Sequence, residues 1–433
     1  LAICQILTIK LRCNNLSKNY KNGVKIILKS KGDQFKMSKI LAINAGSSTL
    51  KWKLFTMPEE QVIAEGMVDR LGLSDSVFSV KFNGKKTKEI GDIPTQEIAV
   101  NKLMGTLTDL KIIKDFSEID GVGHRVVAGG EFFKTSAVVT PENLVKIKEL
   151  AEYAPLHNPA EARGIEAFSK ILPGVPEIAV FDTSFHTTMP EENFLYSIPM
   201  EYYKKYGARK YGAHGTSHRY VSNRAAEILD VPLASQKMIT LHMGSGVSVT
   251  AIKDGKSLDT SMGFTPLAGV TMSTRSGDID ASLVAYLMQK LSIDDPEDMI
   301  KILNEKSGLL GISGLSPDMR DLENSIDTRP ESKLAIDIFV NRMVKYIGSY
   351  VAIMGGLDTL VFTAGMGEGD KLMRARIVNK LSFLGAKIDN ERNDVMAKER
   401  IISADDSKVK VLLVPTNEEL MIARDTVELG KIK

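Results

Sequence analysis

The chain has 433 residues, 43% of them hydrophobic and 25% charged, with a mean hydropathy of −0.06. Those values describe an ordinary globular chain long enough for two domains or more, and no apolar run reaches the ~18 residues of a membrane-spanning helix. A formal net charge of only +2 argues against a protein that coats nucleic acid.

Residues 1–36 stand apart. They hold seven Lys, one Arg and a single acidic residue, Asp33, for a net of +7, while from Met37 onward 48 basic residues face 53 acidic ones. Both cysteines, Cys4 and Cys13, lie in this leader, so the body has neither disulfides nor thiol chemistry. That usage fits a reducing cytoplasm. The lysines follow the apolar stretch 1–9, the reverse of a secretory signal, and Arg and Ser are too few for a transit peptide. We read residues 1–36 as translated upstream sequence with Met37 as the natural start. Codons for Lys31-Gly32-Asp33 can spell a purine-rich ribosome-binding site. A disordered basic tail is the alternative.

In the body, an apolar run over 39–45 turns at Gly46-Ser47 and continues as an alternating strand over 50–55. The spacing predicts helices over 96–113 and 141–153, and buried strands over 119–127 and 177–181. The opening pattern returns over 237–252, with Gly244-Ser245 placed 198 positions after Gly46-Ser47. Helices over 278–291 and 333–354 follow. A strand over 357–363 enters the glycine-rich segment 364–369, and a strand over 408–414 and a helix over 418–429 complete the series. Strands alternating with helices predict α/β layers. Two matching strand–turn–strand units imply internal duplication, with a nucleotide between them and small residues letting backbone N–H groups approach its phosphates. Two unrelated hairpins would give the same pattern.

Four clusters carry groups suited to phosphoryl transfer, which needs charge neutralisation and alignment more than covalent chemistry. Arg125 sits at the end of the 119–127 strand, and Arg275 sits in a turn before a helix. Asp182 ends the 177–181 strand. His214 and His218 lie among small residues. Each has a plainer reading: an Arg at a strand end is commonly a surface ion pair, and Asp182 would cap a turn. The spacing of the two histidines would suit a metal site on a helix, but Gly212 and Gly215 predict a loop there.

Together these stretches, with Asn44 to Lys51, Ala154 to Pro159, Asp259 to Asp280 and Pro415 to Asp425, resemble the acetate kinase family from Lys39 to the C-terminus. The resemblance implies a duplicated ribonuclease-H-like fold of the actin and sugar-kinase type, with a nucleotide cleft between two domains, 37–182 plus 416–433 and 183–415. It implies ATP-dependent, reversible phosphorylation of acetate by direct in-line transfer in a cytoplasmic homodimer, with no nucleic-acid or membrane partner. Asn44 and Glu418 would hold Mg²⁺, for which Mn²⁺ would substitute. Arg125 would bind the substrate carboxylate, with Val127, Leu156, Ala213 and Pro266 around its methyl group. Asp182, His214, Arg275 and His157 would serve the reacting phosphoryl group. Lys51, Ser47 and Thr49, with His242, Met243, Gly244, Ser245 and Gly246, would meet ATP or ADP. So would Asp318, Met319 and Arg320, and Gly365, Met366, Gly367, Glu368 and Gly369.

The chain departs from the family at Ala128 (usually His), Ala213 (Phe), Ser245 (Asn), Ser273 (Gly) and Gly369 (Asn). Ala213 leaves space for a longer acid, so a kinase for propionate or another short-chain fatty acid is one alternative. A non-catalytic nucleotide-binding sensor is another, against which the complete charged set weighs.

Overall fold

The run Ser38–Ala45 (SKILAINA) is almost wholly buried, as expected of a strand covered on both faces. It forms β1 and pairs antiparallel with β2 (Thr49–Met57), which pairs with β3 (Gln61–Asp69). On its other side β1 pairs parallel with β6 (Ile119–Val126), and β6 with β8 (Glu177–Phe181). Strands β4 (Ser76–Phe82), β5 (Lys85–Gly91) and β7 (Ala137–Val138) extend this sheet to the order β5-β4-β3-β2-β1-β6-β8-β7. The outer strand β5 reads KKTKEIG and is exposed throughout, a charged edge that resists further pairing.

The computed structural model describes residues 37–155 and 157–432, which lie in one compact unit. The reading of residues 1–36 and the pocket role expected of Leu156 fall outside the described residues.

A second sheet repeats the plan. Strands β9 (Met238–Met243), β10 (Val247–Lys253) and β11 (Lys256–Thr260) are antiparallel neighbours, and β12 (Thr359–Thr363) then β14 (Lys410–Leu413) add in parallel beside β9. With β13 (Arg400–Ile401) the order is β11-β10-β9-β12-β14-β13. Five strands therefore repeat in the same order, as the duplicated hairpins predict.

The helix Glu418–Leu429 packs on β1, β6 and β8 of the first sheet. Glycines on β6 make that approach feasible: a methyl at Gly123 would lie 2.3 Å from Thr426 Oγ1 and 2.4 Å from Ile422 Cγ2. The late helix thus lies against the strand that carries Arg125.

Several boundaries differ from the periodicity. The first helix runs Gln96–Asp109, and the 141–153 segment is a helix Pro141–Glu149 followed by a 3-10 turn Leu150–Glu152. The 278–291 helix starts at Ala281, because Asp280 accepts from the N–H groups of Ser282 and Leu283 and caps it. The 333–354 helix starts earlier, at Pro330, where a missing N–H costs nothing. The glycine-rich segment is a short helix, Ala364–Gly369. The loop expected around His214 and His218 needs correction: His214 is left-handed (φ 59°), and a helix Gly215–Leu229 starts directly after it and includes His218. Gly215 begins that helix rather than breaking it.

Candidate active site

The parallel strands of the first sheet end side by side, which sets their terminal polar residues in a row. Register pairs Ile43 with His124, so Asn44 and Arg125 follow one step on, and it pairs Arg125 with Val180, two residues before Asp182. The Arg125 guanidinium donates to Asp182 Oδ2 from Nε (3.0 Å) and Nη2 (2.5 Å), and to Asn44 Oδ1 from Nη1 (3.2 Å). Asp182 is 1% exposed. Burial opposes the Arg125 charge, but Asp182 and Glu418 outweigh it and raise the guanidinium pKa further. Asp182 is tied as an aligner of Arg125.

The segment beyond β6 holds the expected pocket residue Val127, and side chains pin it. Val127 N donates to Glu161 Oε2 (3.0 Å), Ala128 N to Asn158 Oδ1 (3.0 Å) and Gly129 N to Thr183 Oγ1 (3.1 Å). Asn158 also donates to the Ala128 and Ile147 carbonyls. Three N–H groups that leave the sheet ladder are thereby satisfied. Burial pushes the Glu161 carboxyl up to about 8, with the Val127 N–H and Arg125 pulling the other way. Sequence reasoning missed this clamp. A signal existed: Asn158 and Glu161 share the helix face of the buried Ile165 and Phe168 in the helix Asn158–Ile171. His157 precedes that helix and lies within electrostatic reach of Arg125, Asp182 and Arg275.

From the second half come His214, His242 and Arg275. The His214 and His242 rings stack at 4.0 Å. A methyl at Gly246 would lie 3.4 Å from His214 Nε2 and 3.5 Å from Arg275 Nη1, so the two groups share the space beside the β9–β10 turn. Arg275 Nη1 donates to the Pro266 carbonyl (3.1 Å), and among the described residues no carboxylate pairs with it. Burial lowers its pKa. Ser273 N donates to Ser245 O (3.3 Å), so two of the unusual positions touch and link the Arg275 loop to the turn. Burial holds His242 near 4 and His214 well below the ordinary range, so both rings are neutral near pH 7.

The other expected nucleotide residues divide. Lys51 faces Asn44 across β1–β2 and acts on Glu418, while Ser47 is exposed in the β1–β2 turn, where Gly46 N donates to Thr49 O. Met243 and Met319 bury their side chains, leaving only backbone for a ligand. Asp318 caps the helix Met319–Asn324 and pairs with the exposed Arg320. Glu368 Oε1 accepts from Ala364 N (2.9 Å) and Thr416 N (3.1 Å), holding the glycine-rich segment to the start of the C-terminal helix. Arg374, fully buried, donates to the Gly367, Glu368, Asn393 and Val395 carbonyls and fixes that segment from behind. Ala213 is 4% exposed and belongs to the second-half core, its carbonyl accepting from His186 Nε2 (3.0 Å).

Among the described residues no cluster of three or more His, Cys, Asp or Glu is gathered as for a metal, yet Asp182, Asn44 and Glu418 offer the oxygen chemistry that a divalent cation takes. Among the described residues Asp182 Oδ1 has only a 3.4 Å contact from Thr216, and Asn44 offers a carbonyl oxygen. Burial raises the Glu418 carboxyl, Arg125 opposes the rise and Asp182 adds to it. Neighbouring carboxylates that resist joint ionisation invite a hard, oxygen-seeking ion such as Mg²⁺ or Mn²⁺.

Residues 39–424 match the family model described as Acetokinase family. Acetate kinase 1 of Latilactobacillus sakei is 66% identical over 394 residues, covering 91% of this chain and all of that one. The Porphyromonas gingivalis acetate kinase structure superposes with a TM-score of 0.87 at 44% identity, covering 90% of this chain and 99% of that one. A Francisella tularensis propionate kinase structure gives 0.85 at 40% identity, covering 91% and 100%.

Proposed function

We infer the function from one premise: the chain belongs to the acetokinase family. It is an enzyme that transfers the γ-phosphoryl group of ATP to acetate, forming acetyl phosphate and ADP. Two guanidiniums carry this reading. Arg125 is tied to Asp182, His157 and His214 each lie within electrostatic reach of both guanidiniums, and among the described residues Arg275 has no carboxylate partner. An acid and a triphosphate are both anions, and two cations at their meeting point offset the repulsion.

An acetate oxygen is already nucleophilic, so no residue needs to remove a proton. The oxygen attacks the γ-phosphorus in line, and the bond to the bridging β–γ oxygen breaks, leaving the electron pair on ADP. Arg125 holds the acetate carboxylate. Arg275 and the neutral His214 ring meet the transferring group, and Asp182 keeps Arg125 in plane. Asn44, Glu418 and Asp182 would hold Mg²⁺, which neutralises phosphate charge when bound. Val127, held by Glu161, would border the methyl group together with Pro266. The β9–β10 turn and the segment Ala364–Gly369 would meet the nucleotide.

Trapping the acyl phosphate with hydroxylamine, using ATP, Mg²⁺ and a panel of acetate, propionate and butyrate, tests the reading. Acyl hydroxamate is expected first with acetate, and none with any acid would overturn the assignment.

A homodimer is supported by the helix Ala281–Leu291, which has no buried residue although it reads ASLVAYLMQKL. Leu283 and Tyr286 are exposed there, with Tyr196 and Ile198 also exposed elsewhere in the second half. Sedimentation at micromolar concentration would report the dimer. Among the described residues no helix is long and apolar enough to cross a membrane, and a cytoplasmic site of action would supply ATP.

A further inference from the structure

Six histidines occur in the chain, and four of them crowd around the β9–β10 hairpin. His214 alone among these shares space with Arg275 beside Gly246, yet its other ring nitrogen is fixed from within. His214 Nδ1 meets Ser248 Oγ at 2.9 Å. The same oxygen meets His218 Nε2 at 2.7 Å, and His218 Nδ1 meets Thr240 Oγ1 at 2.7 Å. His218, Ser248 and Thr240 are each 0% exposed, out of reach of bulk solvent.

This chain of contacts has a direction. Burial, ahead of the neighbouring imidazoles, holds both rings far below the ordinary histidine range, so each carries one N–H and one lone pair. The single Ser248 proton goes to one ring, and the oxygen accepts from the other. In one arrangement Thr240 donates to His218 Nδ1, His218 Nε2–H donates to Ser248, and Ser248 donates to His214 Nδ1. In the reverse arrangement the Thr240 proton needs another acceptor, and among the described residues His218 is the only group bonded to that hydroxyl. A buried donor without an acceptor is the costly case, so the first arrangement prevails. It also turns the His214 N–H, instead of a lone pair, toward the space beside Arg275.

We propose that Thr240, His218 and Ser248 form a hydrogen-bond relay that fixes His214 as the Nε2–H tautomer, making it a neutral donor to the transferring phosphoryl group. Ser248 and His218 are positioning residues, since they act through His214. The catalytic purpose of the relay rests on the acetate-phosphorylating reading, whereas the tautomer itself does not.

The test uses the full chain labelled with ¹⁵N in its histidine rings, near neutral pH. Six rings are few enough to resolve, and a His214→Gln protein assigns the one that disappears. His214 and His218 are both expected as Nε2–H. Ser248→Ala should lower kcat roughly 10–100-fold, with KM for ATP and acetate nearly unchanged, and should let the His214 ring populate both tautomers. Ser248→Thr, which keeps the hydroxyl, should restore the single tautomer. An Nδ1–H proton on His214 in the parent protein overturns the relay even if Ser248→Ala fails to fold, and leaves acyl phosphate formation untouched. Parental turnover in a folded Ser248→Ala protein overturns its role in transfer. An Nε2–H proton alongside a failed hydroxylamine trap overturns the reading of the reaction and supports the relay.

Discussion

The two halves lay five strands in one order, β3-β2-β1-β6-β8 and β11-β10-β9-β12-β14, and differ in what stands at the strand ends. In the first half Asn44, Arg125 and Asp182 occupy them, with Lys51 across the hairpin from Asn44. At the corresponding places of the second half stand His242, Thr363 and Thr416, with Ser248 across from His242. The backbone plan is shared and the charge is not. One end is ionic and suited to a small acid and a cation. The other is neutral, with its histidines uncharged by burial, and under the proposed function would offer backbone and the Arg275 cation to phosphates. Under the proposed function, a duplicated scaffold would divide a two-substrate task largely by side-chain charge.

Copying the second half into the first is the harshest challenge to that division. Arg125→Thr reproduces Thr363 and should lower kcat/KM for acetate by about 10³ or more, while KM for ATP moves by less than about threefold. It also leaves Asp182 buried without its cation, which should cost on the order of 3 kcal/mol in urea unfolding. A drop of less than about tenfold in kcat/KM would break the division. Next in size, Arg275→Ala removes the cation of the neutral half and should lower kcat by roughly 10²-fold. Added guanidine should recover part of it, because the lost group is a small planar cation. Unchanged turnover would remove Arg275 from the site.

A smaller effect concerns acid size. Ala213→Phe should shift the ratio of kcat/KM for acetate over propionate by about tenfold toward acetate, the scale of one methylene in an apolar pocket. Ala213 packs in the core, so melting temperature should be followed alongside. An unchanged ratio in a folded protein takes Ala213 out of acid selection.

Least affected in turnover should be Glu161→Gln, whose signature is stability against pH. The folded carboxyl sits near 8 against an ordinary 4.5, so the folded state holds a proton that the unfolded state releases between those values. Stability contributed by that proton is present below about 4.5 and is lost as pH rises toward 8, at up to about 1.4 kcal/mol per unit. Glutamine keeps the acceptor for Val127 N–H and cannot ionise. The variant should therefore gain up to about 4 kcal/mol over the parent between pH 5 and pH 8, read by urea unfolding. Parallel stability curves would show that Glu161 ionises normally.

Much of the plan was legible in the sequence because it rests on local pattern. The turns at Gly46 and Gly244 mark the duplication, and Glu177–Phe181 and Glu418–Leu429 match their periodicity to the residue. Arg125, Asp182, His214 and Arg275 stood out as candidates through their motifs, and the fold brings Arg125 onto Asp182 and His214 beside Arg275. What escaped depends on contacts across the fold. Glu161 reads as a surface acid until Val127 is brought to it from 34 positions away. Ser248 reads as an ordinary strand residue until two imidazoles converge on its hydroxyl. Arg374 reads as a helix-surface cation until five neutral oxygens surround it. The loop expected at His214 failed for a related reason: Gly215 N donates to Asp182 O (2.8 Å), and that distant carbonyl anchors the helix start.

The closing helix on β6 has a consequence for synthesis. Strands β1 and β6 leave the ribosome first, and the helix over 418–429 follows only after about 290 further residues, tens of seconds later at typical elongation rates. Until then Ile422, Thr426 and Ile432, the residues that pack over Gly121 and Gly123, are not yet made. Glu418 and the Thr416 N–H that Glu368 accepts from are still unmade. The contacts that join the strand of Arg125 to the segment bearing Glu418 therefore form only when the chain is nearly complete.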